Sequence, residues 1–302
     1  MPEKPFTTEK PFKIAALQMK CSPNPAESFA TAEAMLREAA GQGAQVACLP
    51  ELFLTDYFCQ KLDISKFDLA EPIPGKTSDA LGKIARETGM VIIGSIYERV
   101  AAGLYYNTAT VHEKDGALVG KYRKMHIPHD PLFEEKYYFA QGDLGFKAHE
   151  TSVGKLGTLI CWDQWYPEGA RLTAMQGANV LFYPTAIGWH PAEKAEFGEA
   201  QVSAWQTMQR SHAIANGVYV CAVNRVGHEV TVGDGLEFFG NSFISDPFGR
   251  VLAQASSDKQ EIIYANVDQK LIEQTRRWWP FFRDRRVDAY AGITKRWMTD
   301  NG

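Results

Sequence analysis

Short apolar runs alternate along this chain with longer stretches whose apolar positions recur at helical spacing. Residues 14–19 form the first run. Residues 28–40 then carry apolar side chains near a 3.6-residue period and end before Gly41 and Gly43, which fit a helix stop. Strands are expected at 45–49, 90–97 and 106–113, with a helix at 77–88. Lys114-Asp115-Gly116 turns the chain into a return strand at 118–122. The second half repeats the rhythm. A strand at 157–161 leads to a helix at 167–176 with Pro167 at its start, then come a strand at 179–183 and a long helix at 193–216 closed by Gly217. Strands at 218–224, 241–245, 251–255 and 262–267 complete the pattern. This alternation predicts an α/β layered fold. No linker or low-complexity segment interrupts it, so residues 1–302 are expected to form one domain. The stretch Arg276-Arg277-Trp278-Trp279-Pro280-Phe281-Phe282-Arg283 is too aromatic for a solvated terminus. The segment from about 271 to 302 is therefore expected at a subunit interface, in a homo-oligomer built on a dimer.

Composition narrows the function. With 302 residues, 45% apolar and 23% charged, the chain has the make-up of an ordinary globular protein able to bury a large core. It has no long apolar run of membrane-helix length, and Met1-Pro2-Glu3-Lys4 lacks the apolar core of a signal peptide, so a cytoplasmic location is expected. A net charge of −4 without a dense basic stretch gives no footprint for nucleic acid, and small-molecule chemistry is favoured. The five cysteines are scattered without a C-x-x-C pair and are expected to be reduced. The seven histidines show no zinc spacing, and neither a metal nor any other cofactor is expected.

Three segments carry chemistry: Leu49-Pro50-Glu51, Tyr122-Arg123-Lys124-Met125-His126-Ile127-Pro128, and Leu159-Ile160-Cys161-Trp162-Asp163 leading to Tyr166-Pro167-Glu168. The expected elements place Glu51 and Lys124 just past strand ends and Cys161 at a strand-to-helix elbow. A thiol attacks as its thiolate, so a base and a fixed positive charge beside it make a candidate acyl-transfer site. The elbow also offers the Trp162 N–H as an oxyanion donor.

These segments resemble the nitrilase (carbon–nitrogen hydrolase) superfamily, in which a Glu, a Lys and a Cys follow in this order. The likeness runs from about Ile14 to the strand around Ile262. It implies a four-layer α-β-β-α sandwich. It also implies Cys161 as nucleophile, Glu51 as general base and acid, and Lys124 as the ammonium that stabilises the oxyanion. Phe133-Glu134-Glu135-Lys136 resembles the loop that supplies a further catalytic Glu, matched here by Glu135, whereas His126 and His129 are read as supporting residues. Members that cleave N-carbamoyl-D-amino acids carry arginines just after the Cys. Trp162-Asp163-Gln164-Trp165 has no cation there, which disfavours a carboxylate-bearing substrate. Residues 161–168, 181–188 and 53–60 are similar to the members that hydrolyse N-carbamoylputrescine to putrescine, CO2 and ammonia, a step in making polyamines through agmatine. On that reading Tyr57, Trp162, Thr185, Ala186 and Ile187 wall the pocket, and Asp163 is compatible with an amine tail. Gln141-Gly142-Asp143 stands where Pro-Gly-Asp is common, and Trp189-His190 where smaller or acidic residues often sit, so Trp189 is expected to shorten or cap the pocket. The alternatives are another amidase or ureido hydrolase acting on an aliphatic or ω-amide, a nitrilase, and a non-catalytic binding protein on the same fold.

Overall fold

The structure, a computed structural model, describes residues 10–298. The start of the chain read above for a leader, and residues 299–302 of the tail, lie outside the described residues. The first half contains β1 (Phe12–Gln18), α1 (Pro25–Gly41), β2 (Val46–Cys48), α2 (Lys76–Thr88), β3 (Val91–Ala101), β4 (Leu104–His112) and β5 (Leu118–Arg123). After a one-turn α3 (Glu135–Tyr138) come β6 (Ala148–Thr151), β7 (Gly154–Thr158), α4 (Pro167–Met175), β8 (Val180–Pro184), β9 (Gly188–Trp189) and α5 (Pro191–Asn216). The chain finishes with β10 (Tyr219–Val223), β11 (Val226–Glu229), β12 (Leu236–Phe239), β13 (Phe243–Ser245), β14 (Val251–Gln254), β15 (Glu261–Val267) and α6 (Gln269–Trp278).

Two six-stranded sheets have the orders β15-β1-β2-β3-β4-β5 and β14-β13-β10-β8-β7-β6. Each has a parallel trio, β1-β2-β3 or β7-β8-β10, flanked by antiparallel strands. β2, β8 and β10 are buried along their whole length, which is why they read as continuous apolar runs. Alternation then sorts their side chains into layers. Ile14, Val46, Cys48, Val91 and Ile93 of one sheet meet Val180, Phe182, Cys221 and Val223 of the other in a shared core. Ala15, Leu17, Ala47 and Ile92 point the opposite way onto α1 and α2. Leu181 and Val220 pack on Ala170, Ala174 and Ala213 of α4 and α5. The result is the α-β-β-α sandwich.

Helix boundaries follow local chemistry. Asn24 caps α1 by accepting the Ala26 N–H at 3.0 Å, and α5 ends at Gly217 with φ +56°. The structure departs from the pattern-based expectation in several places, adding α3, β6 and α6 to the expected elements. The strand expected at 157–161 stops at Thr158, and Cys161–Trp165 is a 3₁₀ turn. A small sheet β11-β12-β9 was not anticipated, because its strands are two to four residues long and too short for a period to register.

Candidate active site

The strand ends of the sandwich bring three segments distant in sequence into one buried cluster. Glu51 follows β2, and its N–H donates to the Thr185 carbonyl at 3.4 Å. Lys124 follows β5, with its N–H on the Asn107 carbonyl at 2.9 Å. Both side chains are fully buried, as is Glu135 at the start of α3. Lys124 Nζ donates to Glu51 Oε1 at 2.7 Å and to Glu135 Oε2 at 2.6 Å. Asn107 Nδ2 also donates to Glu51 Oε1, at 2.6 Å, and the Tyr57 hydroxyl donates to Glu135 Oε1 at 2.6 Å. Glu51 Oε2 has no partner. This geometry separates the two neighbouring glutamates: Glu134 instead faces His129 at 3.1 Å near the surface.

Burial sets the electrostatics. Burial alone would lower the Lys124 pKa, but Glu135 and Glu51 more than reverse it and raise it well above the usual lysine value. Glu135 is pushed up to about 7 by burial, against the pull of Lys124 and with a further push from Glu51. Cys161 is 4% exposed and its thiol is raised well above the ordinary cysteine range. Burial is the largest cause there, Glu51 adds to it and Lys124 opposes it. Burial therefore favours the thiol over the thiolate, and a base that takes its proton assists the attack.

Cys161 has φ +41°, a conformation uncommon for any residue with a Cβ. Asp163 pins that elbow. Its Oδ2 accepts the Ile160 N–H at 3.0 Å and the Tyr122 hydroxyl at 2.8 Å, and its Oδ1 accepts the His126 N–H at 2.9 Å with His126 Nδ1 at 2.7 Å. The His126 ring stacks on Tyr166 at 3.7 Å. Gly142 serves Lys124 in a similar way. Its N–H donates to the Lys124 carbonyl at 2.8 Å, and a Cβ there would lie 2.0 Å from the Arg123 carbonyl oxygen. Arg123 itself bridges Glu98 and Asp143.

Above Cys161 opens a cavity of about 240 Å³. Trp162, Ala186 and Ile187 line it, together with Phe133, Trp165, Asp130 and Glu193. Three other expected wall residues lie elsewhere. Asp163 is buried beneath the elbow, because a 3₁₀ turn folds the second residue after the cysteine back under it. Thr185 is buried with its hydroxyl on the Tyr183 carbonyl and Gln164, and Tyr57 is buried against Glu135. Trp189 does not line the cavity; its indole donates to the Gly198 carbonyl at 3.0 Å. His190 takes a place in the wall, with Nε2 on the Pro131 carbonyl at 3.1 Å. Sequence reasoning passed over Asn107, a buried polar residue of β4, and Asn224, whose side chain brackets the N–H and carbonyl of Ile187 at 3.0 Å each. Among the described residues, no cluster of His, Cys, Asp or Glu is arranged to hold a metal ion, and no helix is long and apolar enough to cross a membrane.

The fold is that of a hydrolase of carbon–nitrogen bonds. Residues 13–277 match the carbon-nitrogen hydrolase family, and the chain belongs to it. It is 41% identical over 282 residues to an N-carbamoylputrescine amidase from Solanum lycopersicum, an alignment covering 92% of this chain and 93% of that protein. It is 38% identical to a citrullinase from Francisella tularensis, over 94% of this chain and 99% of the relative. A crystal structure of a carbon-nitrogen hydrolase from Helicobacter pylori G27 superposes with a TM-score of 0.93 at 43% identity, covering 96% of this chain and all of that one.

Proposed function

We propose that the protein hydrolyses N-carbamoylputrescine to putrescine, CO2 and ammonia, a step in making polyamines through agmatine. The observation that carries this reading is the cavity wall above Cys161. It holds two carboxylates, Asp130 and Glu193, and no lysine or arginine among its lining residues. A ureido compound ending in an ammonium suits such a wall. A carboxylate beside that ammonium, as in citrulline, meets no cation there. At about 240 Å³ the cavity is smaller than the roughly 300–1,000 Å³ of drug-sized sites and suits a slender metabolite.

In this reading Glu51 Oε2, the unpartnered oxygen, takes the proton of Cys161, and the thiolate attacks the ureido carbon. Lys124 and the Trp162 N–H hold the developing oxyanion. Glu51 returns the proton to the leaving nitrogen, putrescine departs, and a carbamoyl group stays on Sγ. Water activated by Glu51 and positioned with help from Glu135 then releases carbamic acid, which breaks down to CO2 and ammonia, and the thiol is restored. No cofactor takes part.

The shared core between the sheets supports a single domain. Trp278 and Trp297 are 64% and 82% exposed, which supports burial of the C-terminal segment in a homo-oligomer. Five free cysteines fit a reducing, cytoplasmic setting. The test is ammonia release from N-carbamoylputrescine, citrulline, N-carbamoyl-β-alanine and a short aliphatic amide, with Cys161→Ala as control. Preference for the first, lost in the variant, supports the reading. Preference for citrulline or the amide overturns the substrate while keeping the cysteine chemistry.

A further inference from the structure

Both carboxylates of the site are held from outside it, and the two lines of support meet at one ion pair. Arg225 follows β10 and is fully buried. Its Nη2 donates to the main-chain carbonyls of Glu51 at 2.8 Å and Leu52 at 3.0 Å, and Nη1 donates to that of Thr55 at 3.2 Å. One cation thus gathers three carbonyls of the turn from which Glu51 projects. The turn needs a hold of this kind, since Leu52 has φ +48°.

Nη1 of Arg225 also donates to Glu229 Oε1 at 3.0 Å, and Glu229 Oε2 accepts the Tyr57 N–H at 2.5 Å. Tyr57 in turn gives its hydroxyl to Glu135 at 2.6 Å. Contacts therefore run unbroken from the Glu51 turn through Arg225, Glu229 and Tyr57 to Glu135. The rings of Phe238 and Tyr57 lie 5.2 and 5.9 Å from the guanidinium carbon. Burial pushes the Glu229 carboxyl up against the pull of Arg225. A buried ion pair adds little to stability compared with apolar residues of the same shape, so its fixed geometry is the more telling property.

We propose that Arg225 and Glu229 form one positioning pair for both site carboxylates, setting Glu51 through the carbonyls of its turn and Glu135 through Tyr57. This rests on the roles given above to Glu51 and Glu135. The pair does not line the substrate cavity, so it acts on the catalytic step rather than on substrate binding.

The test follows alkylation of Cys161 by iodoacetamide, read on its own peptide, beside kcat and KM, in Arg225→Lys, Glu229→Ala, Glu229→Gln, Tyr57→Phe and the double variant Glu229→Ala/Tyr57→Phe. Arg225→Lys keeps the charge but loses the planar fork. It is expected to slow alkylation and kcat about tenfold or more, with KM within about threefold of the parent. Glu229→Gln retains an acceptor for the Tyr57 N–H and recovers most of the loss seen in Glu229→Ala. Tyr57→Phe costs much less in the Glu229→Ala background than in the parent. Folded variants with parental alkylation and kcat, or additive losses in the double variant, overturn the proposal. If Arg225→Lys does not fold, the Glu229 and Tyr57 cycle decides alone. Alkylation needs no ureido substrate. A protein that alkylates as expected but ignores N-carbamoylputrescine refutes the substrate and leaves the positioning pair standing.

Discussion

The floor and the wall of the cavity are built on opposite rules. At the floor, Lys124 and Glu135 are fully buried and bonded at every charged end, and Glu51 has one oxygen bonded and one free. Along the wall, Trp162, Trp165, Phe133 and Ile187 offer apolar surface, while Asp130 and Glu193 are exposed and, among the described residues, make no side-chain hydrogen bond or ion pair. A floor bonded everywhere but at one Glu51 oxygen holds its groups still for a reaction that needs fixed geometry. An uncommitted wall leaves its polar capacity to the substrate. Changes among the buried charges of the floor therefore act on the chemical step and on stability together, and changes at the wall act on selection.

The largest expected effect breaks the floor at its nucleophile. Cys161→Ala loses hydrolysis by at least about 10³-fold, measured as ammonia release, while its thermal midpoint stays near that of the parent. Residual turnover close to the parent would remove the cysteine from the chemistry. Next comes Lys124→Met, which leaves Glu51 and Glu135 buried without their shared cation. Urea denaturation is expected to show a loss of about 3–5 kcal/mol. A loss below about 1 kcal/mol would mean that the three charges are not coupled.

Glu135 sharpens the comparison through pH. Its carboxyl is raised to about 7 in the folded chain from 4.5, so folding takes up a proton between those values and this group's contribution to stability falls as pH rises through that window. Glu135→Gln lacks that loss. Relative to the parent it should gain on the order of 1–3 kcal/mol between pH 4.5 and 8, read from urea melts. Parallel pH curves for the two proteins would contradict the raised value. At the wall, Asp130→Asn with Glu193→Gln is expected to raise KM for N-carbamoylputrescine about tenfold with kcat unchanged and to leave a neutral aliphatic amide untouched. Equal effects on both substrates would show that the carboxylates do not read the ammonium.

The same contrast explains what could be read from the sequence. Glu51 and Lys124 stand just past β2 and β5, where a strand pattern can place them, whereas the grouping of Glu51, Lys124 and Cys161 was legible through the family resemblance. Glu134 and Glu135 are indistinguishable as letters. The resemblance favoured the second, and the one-turn helix α3, which buries it against Lys124, separates the two physically. Asp163 was placed on the wall because it neighbours the cysteine, and the tight turn that folds it beneath the elbow leaves no periodic signal. Arg225 meets the Glu51 turn across 174 positions of sequence, a contact no local pattern encodes.

The most direct measurement of the account is rapid chemical quench of the protein with N-carbamoylputrescine, followed by mass analysis of its cysteine peptides. A transient carbamoyl adduct is expected on Cys161, absent from the other four cysteines and much weaker with citrulline. Turnover of N-carbamoylputrescine with no adduct on Cys161, or an adduct that forms equally well from citrulline, would contradict it.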